Sequence, residues 1–354
     1  MNNYVYRIFL VISLIVSLSC FGSVYAEETT VITDMAGRSV TVPAEIDSVL
    51  GTAPPVSEVT YMIAPDTLIG LNFVFNNTKY VPAEYASLPN VGGQQMGNTL
   101  NYETFLSMNP DIVLYGFTPG TDANSTIDDL QTHLNPIPVV AVADSTNANN
   151  YDPEIAFVGE LFDQKQTSED LITFYQDVYR KVNGTVASIP DEKKKRVYYA
   201  EGAEGLKTDP SDSMHAQLIN ICGGKNVAKV NQIGSGGMSP VSMEQVVSWN
   251  PEVIIAGDAQ FYKKVLSDPN WKDITAVQNK QVYLIPNQPF GWFDRPPGVN
   301  TIIGIPWTAK VLYPDMFADI DLASLTKKFY SEFYHYDLTD DEVSEIITSS
   351  GLTI

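Results

Sequence analysis

Two segments far apart in this 354-residue chain carry the same local design. NYETFLSMNPDIVLYG occupies residues 101–116 and VSMEQVVSWNPEVIIAG residues 241–257. Each reads as a short amphipathic helix, an Asn-Pro turn followed by an acid, and an apolar run. Pro110 and Pro251 end the helices, because the residue before a proline is pushed out of the right-handed helical region. The runs Ile112-Val113-Leu114-Tyr115 and Val253-Ile254-Ile255-Ala256 do not alternate, as expected for strands covered on both faces. A unit that recurs after about 140 residues predicts two similarly built α/β lobes.

The rest of the chain fits that frame. Val31-Ile32-Thr33 and Ser39-Val40-Thr41-Val42 read as a hairpin around Asp34 and Gly37. Val49-Leu50, Leu68-Ile69-Gly70-Leu71, Asp111 to Tyr115 and Ile137 to Val142 are predicted strands, with a helix after Pro54-Pro55. Strands alternating with helices imply a mostly parallel sheet. In the middle, Leu171, Phe174, Tyr175, Val178 and Val182 recur at helical spacing up to Gly184, and Thr167-Ser168-Glu169-Asp170 resembles a helix start. A second series follows, with strands at Arg196 to Tyr199, Val253 to Ala256 and Gln281 to Ile285, and terminal helices at 300–313 and 325–349. The expected division is a targeting segment at 1–26, a first lobe at 29–150, a connecting helical region at 151–190 and a second lobe at 191–354.

Net charge is −21, a field that repels nucleic acid and anionic membrane surfaces, so nucleic-acid binding is excluded as a function class. At the N-terminus Arg7 precedes an apolar stretch from Ile8 to Leu18, and Val24-Tyr25-Ala26 offers small residues where a signal peptidase cuts. Cleavage after Ala26 is expected; lipidation at Cys20 and a retained anchor are the alternatives, and all three put the bulk of the protein outside the cytoplasmic membrane. Cys222 then remains as a buried core residue, with no internal disulfide.

Six landmarks in order resemble a known family: DMAGRSVTVP (34–43), the NYE…NPDIVLYG unit, HAQLINICGGKNVA (215–228), VSMEQVVSWNPEVII (241–255), WFDRPP (292–297) and FYHYDLT (333–339). The pattern is similar to that of the substrate-binding proteins of ABC importers for iron–siderophore complexes, haem and vitamin B12. The resemblance implies an α/β fold of two Rossmann-like lobes joined by a single long α-helix, with a ligand cleft between the lobes and limited closure. It also implies a monomer without a resident cofactor, whose partners are a small-molecule metal chelate and an ABC permease with its ATPase.

Candidate residues follow from the residues and from the resemblance together. Glu103 and Glu244 occupy matching positions of the repeated unit. The resemblance implies that they contact permease arginines, one from each lobe; the alternative is that both merely favour the first turn of their helices. Ligand contacts are expected from loops after the strands. In the first lobe these are Phe73, Phe75, Gln94, Gln95 and Tyr115, and in the second Lys207, His215, Met238, Trp292 and Arg295. Gln94 and Met238 stand near positions where B12-binding members carry tryptophan, which argues against a flat corrin. Tyr115 reads equally as core, His215 as a solvated or capping residue, and Arg295 as a structural partner of Asp294. His133 and His335 read as surface positions, so a metal cage of several histidines is not expected.

An enzyme on a Rossmann-like frame is the rival class. The chain has no GxSxG elbow, no P-loop and no GxGxxG after the first strand, and no enzymatic activity is expected. The leading expectation is capture of an iron–siderophore-type chelate for an ABC importer. A corrinoid, haem, a molybdate-type oxyanion and a nickel chelate are alternative cargoes, and an extracytoplasmic sensor is an alternative role.

Overall fold

The computed structural model describes residues 28–75, 77–93, 100–119, 123–143, 145–234 and 236–353. The targeting segment, Gln94 and Gln95 lie outside the described residues. The chain opens with an antiparallel hairpin, β1 (Thr29–Thr33) and β2 (Ser39–Pro43), in which Val31 pairs with Thr41. The first unit then runs β3 (Val49–Gly51), α1 (Pro54–Ile63), the single turn α2 (Ala83–Ala86), α3 (Tyr102–Met108), β4 (Ile112–Phe117), α4 (Ala123–Leu134) and β5 (Val139–Ala143). Next come α5 (Asp152–Leu161) and the long α6 (Lys165–Val186). The second unit holds β6 (Arg196–Ala200), β7 (Lys207–Thr208), α7 (Gln217–Ile221), β8 (Lys225–Asn226), β9 (Ser239–Pro240), α8 (Met243–Trp249), β10 (Val253–Ala256), α9 (Ala259–Val265), α10 (Thr275–Gln278) and β11 (Val282–Leu284). It is followed by α11 (Gly304–Leu312), α12 (Leu322–Phe333) and α13 (Asp340–Ser349).

The two sheets share one topology. The first has the order β3-β4-β5 and the second β11-β10-β6-β8, with every neighbour parallel. The repeated unit supplies the inner strand of each, β4 and β10, whose apolar residues from Ile112 to Leu114 and Val253 to Ala256 are fully covered. The predicted strand at Leu68–Leu71 is only a pair of isolated bridges, Leu68 to Val49 and Leu71 to Asn90. The Leu68 bridge lies beside β3, where the second sheet carries β8 beside β6.

Both copies of the unit are held by the same devices. Asn101 and Ser242 cap α3 and α8, accepting the N–H of Thr104 and of Gln245. Asn109 and Asn250 end the helices in the left-handed region, at φ 47° and 42°. Proline thus excludes the right-handed helix at these residues, and asparagine tolerates the left-handed turn instead of extending the chain. The acid after each proline ties the turn to the adjacent first strand. Asp111 Oδ2 accepts the N–H groups of Asp47 and Ser48, both at 2.8 Å, and Glu252 Oε2 accepts that of Arg196 at 3.1 Å.

α6 buries the face that its periodicity predicts: Leu171, Phe174, Tyr175, Val178, Val182 and Val186. Its start differs from the expected cap at Thr167. The helix begins at Lys165, and the Ser168 hydroxyl donates to Lys165 O at 2.9 Å. That serine packs where a side chain on Gly159 of α5 would stand, 2.1 Å from Ser168 Oγ, so only glycine permits the close approach of α5 and α6. The helix also continues through Gly184 to Val186.

Further contacts outside α6 reach across to the second lobe. Tyr151 donates to Gly298 O at 2.7 Å, and Gln217 Nε2 donates to Thr146 O at 2.7 Å. At the C-terminus α12 packs on α1, and Tyr61 donates to Tyr334 O at 2.9 Å. His335, read from sequence as a surface residue, sits here with Nε2 2.8 Å from Tyr61 O, and burial lowers its pKa. Among the described residues no helix is long and apolar enough to cross a membrane.

Candidate functional site

The carboxyl ends of three parallel strands converge on one cleft. Thr52 and Ala53 follow β3, Tyr115 to Phe117 end β4, Thr118 follows it, and Ser145 and Thr146 follow β5. Pro55 and Val56, in the first turn of α1, complete a space of about 410 Å³. Open α/β sheets place ligands at such an edge because the strands stop there and the loops diverge. Among the described residues that line the space, none carries a charge. Pro54 and Pro55 have no N–H, so Val56 supplies the first backbone donor of α1, at the positive end of the helix.

Two hydroxyls distinguish this cleft. Thr52 Oγ1 and Ser145 Oγ are buried and have no hydrogen-bond partner. A buried hydroxyl left unpaired costs roughly 1–3 kcal/mol, so two lining one cleft mark where an oxygen-bearing ligand would be received. Gly116 keeps the space between them open: a side-chain carbon there would lie 3.3 Å from Ser145 Oγ and 2.9 Å from Val56 Cγ1.

The residues that line this space all come from the first lobe, and the second lobe carries a separate, cross-linked cluster. Arg295, at φ 62°, donates from Nε and Nη2 to Glu201 Oε1 (2.9 and 2.5 Å), from Nη2 to Asp209 Oδ2 (3.0 Å) and from Nη1 to Gly236 O (2.8 Å). Its Nε also lies 3.2 Å from Asp294 Oδ2. Glu201, Asp209 and Asp294 bring oxygens within 4.8 Å of one another, a spacing that would suit a metal ion, but the guanidinium already supplies the positive charge among them. Burial pushes the Glu201 carboxyl up to about 8 against the pull of Arg295, and a hydrogen bond to Asp209 and the neighbouring charges add to the rise. Asp294 turns its other oxygen to His215, with Nδ1 at 2.7 Å.

A further buried acid lies on α1, the helix whose first turn lines the cleft. Glu58 of α1 is wholly enclosed, and neither of its carboxylate oxygens has a hydrogen-bond partner. Burial raises its pKa well above the usual carboxylate range, with Glu154 and then Asp294 adding to the effect.

The predicted ligand residues fall into three groups. Tyr115 lines the cleft and is half-buried. Phe73 is half-buried, Met238 is half-buried in a left-handed turn with its N–H on Asp209 Oδ2, and Lys207 is exposed on β7. The others are buried or already hold protein partners. Trp292 is fully enclosed and donates from Nε1 to the Tyr330 hydroxyl at 3.2 Å. Phe75 is buried among Tyr61, Phe73 and Phe290, His215 is buried against Asp294, and Arg295 is committed to its carboxylates. Of the two readings of Arg295, the structural pairing with Asp294 is present, and Glu201 and Asp209 share the guanidinium. The reading of His215 as a solvated residue fails for the same network.

Thr52, Ser145, Glu58, Glu201 and Asp209 escaped sequence reasoning. For Thr52 a signal existed, since it directly follows the predicted strand Val49-Leu50 and its glycine. The acids carried none, because nothing local separates a buried glutamate from a surface one. Glu103 and Glu244 are both exposed in the first turns of α3 and α8. Hydrogen bonds from its own backbone and from Ser242 lower the pKa of Glu244, so it stays ionised.

Residues 72–289 match the model of a family described as periplasmic binding protein. A solute-binding protein of an ABC transporter from Sulfurospirillum deleyianum is similar in structure at a TM-score of 0.83, with 31% identity over 90% of this chain and 99% of that one. The molybdate-binding protein MolA of Haemophilus influenzae is 25% identical over 89% of this chain and 93% of its own length. The haem-uptake protein IsdE of Staphylococcus aureus is 24% identical over 60% of this chain and 71% of its own length.

Proposed function

The chain belongs to the periplasmic binding protein family, whose members bind substrates for transport and are not enzymes, and from that premise we propose that it captures a small oxyanion of the molybdate type outside the cytoplasmic membrane and delivers it to an ABC importer. The observation that carries the ligand class is the pair of buried, unpartnered hydroxyls, Thr52 Oγ1 and Ser145 Oγ, lining a cleft whose described residues are uncharged, beside the first backbone donor of α1. A helix N-terminus with neutral donors suits an oxyanion, because the dipole stabilises negative charge without a competing cation. Similarity to MolA over nearly the whole chain supports the same class. In this reading Glu103 and Glu244 register the two lobes on the permease.

A metal chelate of the iron–siderophore or haem type is the second reading. The half-buried aromatic rings of Tyr115 and Phe117 on the cleft and the similarity to IsdE favour it. Calorimetric titration of the purified protein with molybdate, tungstate, sulfate, a ferric siderophore and haemin separates the two. Saturable 1:1 binding of molybdate or tungstate is the expected result. Binding of a chelate with no response to any oxyanion would transfer the assignment to the second reading, and no response to any of the five would remove both.

A further inference from the structure

The repeated unit places more than its glutamates at equivalent positions. Large apolar side chains are exposed at few places among the described residues, and two of them are Leu106 (38% exposed) and Val247 (48%). Each lies three residues beyond a glutamate, Leu106 after Glu103 on α3 and Val247 after Glu244 on α8. Residues three apart on a helix are neighbours on its surface, so each lobe presents the same composite of one carboxylate and one aliphatic group. Phe105 and Val246, which precede them, are fully buried and hold both helices on their lobes. Helix amphipathicity therefore does not account for the exposed pair, since the inward face is already occupied.

The placement is equally regular. Both helices lead through Asn-Pro turns into the inner strand of their sheet, so their first turns lie toward the carboxyl edges, the side on which the cleft opens. An isolated exposed Leu or Val needs no explanation, but the same acid-plus-aliphatic pair on both lobes of a pseudo-symmetric molecule does. A partner that reads both must itself offer the matching group twice.

We infer that Leu106 and Val247 are apolar anchors of the docking surface, seating beside Glu103 and Glu244 on a two-fold symmetric permease whose two subunits each present a cation set in an apolar rim. The inference rests on the permease reading above and extends it. The carboxylates steer and register the encounter, while the aliphatic groups are buried on contact and slow dissociation.

The test measures binding of the full-length mature protein to the reconstituted cognate permease–ATPase complex at several salt concentrations, with molybdate titration run in parallel on each variant. L106S and V247S are expected to weaken docking severalfold each, mainly through faster dissociation, with an unchanged salt dependence and unchanged molybdate binding. E103Q and E244Q are expected to weaken docking and flatten the salt dependence. V74S, an exposed apolar residue outside both units, should bind the permease as the wild type does. Wild-type docking by L106S/V247S alongside weakened docking by E103Q/E244Q would overturn the apolar anchors and leave permease docking intact. Wild-type docking by all four variants would remove the docking assignment itself. Loss of self-association in L106S/V247S, with permease binding unchanged, would assign the surface to a second copy of the chain and likewise overturn the inference.

Discussion

Arg295 and Glu201 meet at a single oxygen: Nε and Nη2 of the guanidinium both donate to Glu201 Oε1, leaving Oε2 as the place where a proton can reside. Three buried carboxylates share this one guanidinium, so the group is electrically balanced only when part of its negative charge is neutralised. That makes the cluster in the second lobe a fixed, proton-dependent brace between the loops around 201, 209, 236 and 295.

The first prediction concerns pH. The Glu201 pKa in the folded protein is about 8, above its usual value of 4.5. The folded state therefore holds this proton more tightly than the unfolded state does. The associated stability is complete below about pH 4.5, declines as pH rises toward 8 and is gone above it. Thermal melts of wild type and Glu201→Gln from pH 5 to 9 check this. The variant should lose stability less steeply over that window, and parallel curves would refute the assignment.

Removing the cation should be far more damaging than removing the proton-bearing acid. Arg295→Met leaves Glu201, Asp209 and Asp294 buried without a counter-charge, a loss on the order of 3–5 kcal/mol. Urea unfolding should report it. A loss below about 1 kcal/mol would mean that the acids are neutral and the ion pairs idle.

Ligand affinity should follow the two cleft hydroxyls. Thr52→Val and Ser145→Ala each remove one hydrogen-bonding group at nearly constant shape, and each should lower oxyanion affinity about tenfold, the equivalent of roughly 1.4 kcal/mol. Because both hydroxyls are unpaired in the empty cleft, the same variants should be as stable as wild type or slightly more so. Reduced affinity with unchanged or raised melting temperature is the signature; lost stability with unchanged affinity would make the hydroxyls merely structural.

Trp292 supplies the opposite contrast. Trp292→Phe removes the Nε1–H bond to Tyr330 and leaves a cavity in the core, costing about 1–3 kcal/mol, with ligand affinity unchanged once the protein is folded. A fall in affinity at full folding would return this residue to the cleft.

Much of the architecture was legible in local chemistry. The repeated helix–Asn-Pro–acid–strand unit contains its own caps, its own stop and an apolar run, all of which act within about a dozen residues, and both sheets grow around it. The apolar face of α6 was likewise visible, because a helix buried along one side writes its period into the sequence. Where local signals were weak, the chain diverged from expectation. α6 starts at Lys165 because the fit of Ser168 against Gly159 outweighs the capping pattern at Thr167. The run at Leu68–Leu71 has the composition of a strand, but only isolated bridges form.

The site was decided elsewhere. Trp292 and Arg295 stand in the conspicuous stretch WFDRPP and His215 heads another, HAQLINICGGKNVA, yet the fold turns the indole inward and spends the imidazole and guanidinium on buried acids. Thr52 and Ser145 are inconspicuous, yet the ends of β3 and β5 bring them to one cleft. Sequence by itself determined the elements and their repetition, since capping, proline and periodicity act between near neighbours. Tertiary structure alone decided which polar groups are consumed and which remain to bind, because hydrogen-bond satisfaction depends on partners far away in the sequence, as Arg295 and Glu201 are.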